Sequence, residues 1–360
     1  MRLELYRRHA DFSVRTVGLA GLGALGVSFG PVLAMDAPSA REAGEFHWGA
    51  TAWHELAHTF TLGATDNRVP RWLSEGLSVL EERRARPGWG DGPSPAFLSA
   101  WREGRVPPPS RLNDGFVRPV FPQQVILSYY AASLVCEMIE RDFGAAAVPA
   151  LLAAYKQGLG TEAAVARALR LDLPTLDRRF DAYVRERFGR AMELVAGPTG
   201  GQYGRLMAAG DSAARAGRTD VAIAAFMGAK AMFPEYAEGE SPYWRLAQLY
   251  QARGDRARAA AELRDLTARN GGHLQAQLAL AQLREQLGDT AGAAAALEQS
   301  IWVWPYDPQV HARLAAHAER LGDARKVVRE RRAIVALAPV DLADARFQPV
   351  SYTHLTLPTN

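Results

Sequence analysis

Apolar residues recur at helical spacing over most of the chain. From Trp48 to about Arg190 that period predicts helices over 50–61, 70–85, 123–142, 145–157, 161–169 and 174–188. Two stretches rich in proline and glycine, "RPGWGDGPSPAF" and "GRVPPPSRLNDG", interrupt them and read as loop. Residues 1–48 are different: they are glycine-rich, with short β-like pieces at "LELYRR", "FSVRTV" and "PVLAM". Strands first and helices later is the order of an α+β domain. The periodicity breaks at "AGPTGGQYG", residues 196–204, which reads as a linker.

Beyond the linker the pattern repeats. Glycines at 217, 254, 288 and 322 are spaced 37, 34 and 34 residues apart, and seventeen residues after each stands a breaker, Pro234, Gly271, Pro305 or Pro339. Each unit is then a helix, a glycine turn, a second helix and a stop, and it resembles the tetratricopeptide repeat with its 34-residue period. Small residues stand seven before each glycine (Gly210, Ala247, Ala281, Ala315), and alanine stands five after three of them (Ala222, Ala259, Ala293). Those positions let paired helices approach closely. Val327 and Arg331 depart from the pattern, so the fourth unit reads as a polar cap or an incomplete repeat. The tail "VSYTHLTLPTN" loses the Ala/Arg/Leu composition and is similar to translated adapter sequence. Residues 346–360 are therefore read as non-native, and His354 is given no role.

Composition narrows the function little. The 360 residues carry 42 Lys+Arg against 39 Asp+Glu, and the basic residues are scattered, so no nucleic-acid partner is implied. A single cysteine, Cys136, excludes an intrachain disulfide framework and any cysteine-based zinc motif. No apolar run approaches the ~18 residues of a membrane span. The first forty residues have the order of an export signal, but Glu4, Asp11, five glycines and Pro31 argue against it. "GLGALG" matches G-x-G-x-x-G, yet the next residues, "VSFGPVLAM", do not read as a helix that would receive a pyrophosphate; the glycines read as a turn or hairpin feeding a strand at Val32 to Met35.

Candidate chemistry lies in "TAWHELAHTF". On a helix His54 and His58 share a face and can offer two imidazole nitrogens to one ion, while Glu55 reaches a water on it. A catalytic zinc usually takes three protein ligands, and "RVPRWLSEGLSVLEE" supplies Glu75, seventeen residues after His58, in an otherwise apolar stretch. A buried carboxylate there needs a cation. Three competitors rank lower. Thr61 and Ala64 stand where a metzincin needs glycine and histidine, Asp66 reads as part of the turn between two helices, and Glu81 and Glu82 read as exposed.

With those residues in view, "WHELAHTF" and then "PRWLSEGLSVLEE" resemble the gluzincin metallopeptidases, in particular bacterial peptidase-MA-like proteins with C-terminal tetratricopeptide repeats. The resemblance implies a zincin-like, α+β metallopeptidase domain over 1–195, N-terminally incomplete, and after it an all-α tetratricopeptide solenoid over 205–345. It implies one Zn²⁺ on His54, His58 and Glu75, Glu55 as general base, and an oxyanion-stabilising tyrosine in "QVILSYYAASLVCEMIERDFG". Register against Ser133 assigns that role to Tyr130, with Tyr129 as close competitor. The implied substrate is a peptide or protein lying along an edge strand, and the repeats would bind a protein partner. An extracytoplasmic location is favoured for the parent protein. The alternative is a non-catalytic tetratricopeptide scaffold with a structural or degenerate zincin domain.

Overall fold

The computed structural model describes residues 1–19, 21–195 and 201–338. Three strands form one sheet: β1 (Arg2–Tyr6), β2 (Gly26–Ser28) and β3 (Val32–Asp36). The N-terminal helices are α1 (His9–Val17), α2 (Trp48–Thr65), α3 (Arg71–Ala85), α4 (Pro95–Arg102), α5 (Asp114–Val117), α6 (Gln124–Phe143), α7 (Ala147–Lys156), α8 (Thr161–Leu169) and α9 (Leu173–Val195). The repeat helices are α10 (Gly201–Arg215), α11 (Thr219–Met232), α12 (Pro242–Ala252), α13 (Arg256–Thr267), α14 (Leu274–Gln286), α15 (Thr290–Ser300), α16 (Pro308–Arg320) and α17 (Ala324–Leu337).

This architecture corrects the expected fold class. The described residues are predominantly helical, with one three-stranded sheet, and no separate α+β, zincin-like domain stands apart from the repeats. Met1–Pro305 is one compact unit, and a second begins at Tyr306, so the division does not fall at 196–204. Residues 201–204 already belong to α10, whereas 196–200 lie outside the described residues, as do 339–345 and the tail 346–360. The β-like piece "FSVRTV" is not a strand but sits inside α1. There Phe12 and Ser13 face the core, and Gly18 ends the helix in the left-handed conformation (φ 73°), its N–H donating to Val14 O. No described helix is long and apolar enough to cross a membrane.

The sheet runs in the order β1-β3-β2. β1 pairs parallel with β3 (Leu3 opposite Leu33), and β2 pairs antiparallel with it (Val27 opposite Ala34). The "GLGALG" glycines thus lead into a β2–β3 hairpin, and the strand expected at Val32 is β3. β2 is an edge strand lying on α2, where the Thr59 hydroxyl donates to Gly30 O at 2.9 Å.

Three helices carry the N-terminal core. α2 ends where Asp66 and Asn67 take left-handed backbone angles (φ 50° and 61°), and Pro70 turns the chain into α3. α3 is buried from Trp72 to Leu80, and Gly76 lets it approach α6 so closely that a Cβ there would lie 2.5 Å from Ala132 O. The N-terminus of α2 is held by the third repeat. Trp48 Nε1 donates to Ile301 O at 2.9 Å, Trp302 packs between Trp48 and Trp89, and a Cβ on Gly49 would sit 2.5 Å from the Trp302 ring. Nearby, Gly271 N–H donates to Gly88 O at 2.8 Å.

The repeat helices pair as expected. Gly217, Gly254, Gly288 and Gly322 have φ of 71°, 74°, 78° and 73°, each between the two helices of a pair. In three of the four turns the residue after the glycine is an aspartate that caps the next helix, with Asp255, Asp289 and Asp323 accepting from Arg258, Gly292 and Lys326 N–H. The small residues sit at the helix contacts: a Cβ at Gly210 would lie 2.6 Å from the Phe226 ring, and Ala247 and Ala281 are fully buried. In the second unit, α17 has Glu330 as its one buried residue, Val327 is half-buried, and Arg331 is exposed and bound to Glu319, the polar character expected of the fourth pair.

Candidate metal centre

His54 and His58, one turn apart on α2, present their rings 4.8 Å apart and nearly perpendicular. Glu75 enters from α3, and its Oε2 lies 3.2 Å from the Nε2 of each histidine. One donor atom from each residue lies within 4.8 Å of the others. Ligands on a tetrahedral zinc with bonds of ~2.0–2.1 Å are separated by about 3.3 Å, so the histidine–carboxylate spacing suits such an ion.

The opposite ring nitrogens are also engaged. His54 Nδ1–H donates to Glu82 Oε1 at 2.6 Å, and His58 Nδ1 lies 2.8 Å from Ser74 Oγ and 3.3 Å from Ser78 Oγ. Ser74 Oγ lies in turn 2.9 Å from the Thr61 hydroxyl. These contacts orient the rings so that both Nε2 atoms point toward Glu75, the outer-shell arrangement common around metal-ligating histidines. Glu75 Oε1 accepts from Arg71 Nε at 3.0 Å, which leaves Oε2 for the histidines.

The charges are tightly coupled. Burial opposes ionisation of Glu75, but the hydrogen bonds from His54 and His58 outweigh it and hold the carboxyl far below the usual range. Burial likewise works against a charged His54, and its bonds to Glu75 and then Glu82 reverse the direction and raise it well above the usual value. Both shifts describe a pocket that stabilises positive charge between carboxylates.

Glu55 completes the cluster. Its side chain is 5% exposed, its Oε2 has no hydrogen-bond partner among the described residues, and burial, against the pull of the two histidines, pushes its carboxyl above the ordinary value. β2 crosses directly over it: a Cβ at Gly26 would lie 2.7 Å from Glu55 Cγ and Oε1. Beside this crossing opens a cavity of about 380 Å³, lined among others by Leu22, Gly26, Ser28, Glu75 and Tyr129. Ser28 Oγ is buried there without a partner.

The two tyrosines of α6 face different surroundings. Tyr130 is 3% exposed and packs edge-on against Phe97 at 4.8 Å, inside the core. Successive helical residues point about 100° apart, and it is Tyr129 that faces the site, its ring 6.0 Å from His54. Burial first, then the Glu75 charge, raises the Tyr129 hydroxyl's pKa and keeps it protonated. Asp66 lies in the turn, with Arg68 and Lys156 nearby, and Glu81 pairs with Arg84 on the surface. Glu82 corrects the sequence reading: it is buried and orients His54. Its signal in the sequence is its place seven residues after Glu75, two helical turns on and therefore on the same face.

No family model matches the chain, and no curated protein matches it. Among solved structures it is similar to a mutant of MamA, at 12% identity and a TM-score of 0.31, over 58% of this chain and 98% of that one. A likeness at that score carries no argument about fold or function.

Proposed function

We propose that this helical-repeat protein is a metal-dependent hydrolase of peptide bonds, with the repeats as its protein-binding surface. The observation that carries the reading is the convergence of His54 Nε2, His58 Nε2 and Glu75 Oε2 beside the buried, unpartnered carboxylate of Glu55. Zinc bound there would supply Lewis acidity and an activated water. Glu55 accepts a proton at Oε2 and delivers it to the leaving amine, and its raised pKa suits both halves of that task. The protonated Tyr129 hydroxyl serves as donor to the developing oxyanion. β2 supplies the bed for an extended peptide. Since Leu25 and Phe29 bond toward β3, the alternation of an antiparallel ladder turns the backbone groups of Gly26 and Ser28 to the open edge.

The test is cleavage of an unstructured protein such as casein by the zinc-loaded full chain, read by mass spectrometry. The wild type is expected to cleave, and Glu55→Gln to keep its zinc and lose activity by about 10²–10⁴-fold. A second reading, a non-catalytic repeat scaffold, draws on the regular helix pairs and on the way Glu75 and Glu82 satisfy His54 and tie α2 to α3. Zinc binding without any cleavage would favour it.

A further inference from the structure

A second cavity, of about 230 Å³, shares Gly26, His54, Glu55 and Tyr129 with the first and extends toward the N-terminal turns of α2, to Thr51, Glu82 and Asp91. A third, of about 260 Å³, is lined by Asp91 again, now with Glu235, Glu238, Arg269 and Asn270 from the repeats. Asp91 is therefore common to a cleft at the metal centre and a cleft against the repeat module.

The unpartnered ionisable groups along this path are carboxyls. Asp91 and Glu238 make no hydrogen bond or ion pair among the described residues, and the loss of water around them pushes Asp91 up to about 7 and Glu238 above its ordinary value, so a cation beside them draws each into its charged form. Glu235 reaches Arg187 only at 4.0 Å. In the third cavity the cation is Arg269, which donates to the carbonyls of Pro234 and Asp265 and lies over the Tyr243 ring; in the second it is His54, held by Glu75 and Glu82. Arg83, whose charge also acts on Asp91, is tied to Ser133 and Glu137. Independently, the buried Oε2 of Glu55 faces the same cleft without a partner, which marks the cleft as a place where a bound group is received.

We propose that this cleft receives a lysine or arginine side chain of a bound peptide, with Asp91 as its partner beside the metal centre and Glu238 as the partner of a second basic residue further along. A peptide on β2 directs alternate side chains to one side, and the long basic side chains carry their charge several ångströms from the backbone, toward Asp91. The substrate class is then a basic peptide segment, an inference that rests on the hydrolase reading only for the bond that is cut.

Binding of labelled acetyl-(Lys-Ala)₃-amide and acetyl-(Gln-Ala)₃-amide to the zinc-loaded full chain, measured by fluorescence anisotropy at low salt, tests it, with cleavage of both monitored in parallel. The lysine peptide is expected to bind at least about tenfold tighter, the scale of one charge-assisted hydrogen bond, and to lose that margin as salt rises. Asp91→Asn should bring the ratio close to one, and Asp91→Lys should invert it in favour of acetyl-(Glu-Ala)₃-amide. Equal binding of the two peptides by wild type overturns the proposal, as does an unchanged ratio in Asp91→Asn, or a second divalent ion lost with Asp91 while peptide preference is absent. Discrimination without cleavage sustains the cleft and counts against the hydrolase reading; cleavage without discrimination does the reverse.

Discussion

Gly76→Ala adds one methyl group where α3 meets α6. The new Cβ would lie 2.5 Å from Ala132 O, 2.6 Å from Ala132 C and 2.9 Å from Cys136 Sγ. Two of those atoms are backbone in the middle of a buried helix, so the helices must separate by roughly an ångström to restore ordinary contact. Overpacking of this kind costs about 1–3 kcal/mol, and the contact with backbone puts this site at the upper end. Alanine returns up to about 1 kcal/mol of helix propensity, so the expected net loss is about 2 kcal/mol. Gly63→Ala is the control. It lies exposed on α2, its Cβ would meet nothing within 4 Å, and the propensity gain alone should stabilise by up to about 1 kcal/mol. Urea midpoints by circular dichroism should therefore move in opposite directions for the two variants. Because Glu75 precedes Gly76, zinc affinity should fall in the first and hold in the second. A Gly76→Ala protein as stable as wild type would refute the close approach of α3 and α6.

Three further outcomes are expected. Glu82→Gln should weaken zinc about 10–100-fold in a chelator competition, since a neutral acceptor replaces the carboxylate on His54 Nδ1; an unchanged affinity would remove Glu82 from the site. Tyr129→Phe should lower kcat about 100-fold at similar KM, while Tyr130→Phe, which removes a buried hydroxyl without a partner, leaves activity intact; the reverse pattern would restore Tyr130 to the role. His47 caps α2 by accepting Ala50 N–H on Nδ1, and burial pushes its imidazole down to about 4. The unfolded chain, with a histidine pKa near 6.5, binds the proton more readily, so the cap's contribution is full above that pH. It is lost as pH falls toward 4, at most about 3 kcal/mol, and His47→Asn, which keeps an acceptor, should flatten the urea midpoint between pH 7 and 4.5. An unaltered slope would exclude His47 as its source.

The repeats are legible in the sequence because the backbone demands them: a left-handed turn every 34 or so residues favours glycine, and helices in contact at Gly210, Ala247 and Ala281 admit only small side chains. His54, His58 and Glu75 are legible for the same kind of reason, since helical spacing fixes which residues share a face. The fold class is not. Short β-like pieces cannot announce whether they pair, and "FSVRTV" is helix because Phe12 has a core to enter and Gly18 a left-handed cap to supply. Nor can a local pattern show that Trp302, from the third repeat, packs on the first turn of the helix bearing the histidines. Register points to Tyr130, yet a difference of one residue on a helix decides between core and cavity, and only the packing against Phe97 shows which side is which.

Zinc content after dialysis, measured on wild type and Glu75→Ala under identical conditions, addresses the central claim. The arrangement of His54, His58 and Glu75 predicts one ion per wild-type chain and a loss of most of it in the variant, where one of three ligands is gone. A wild-type chain that retains no zinc at micromolar free metal, or a Glu75→Ala chain that retains as much as wild type, would contradict it.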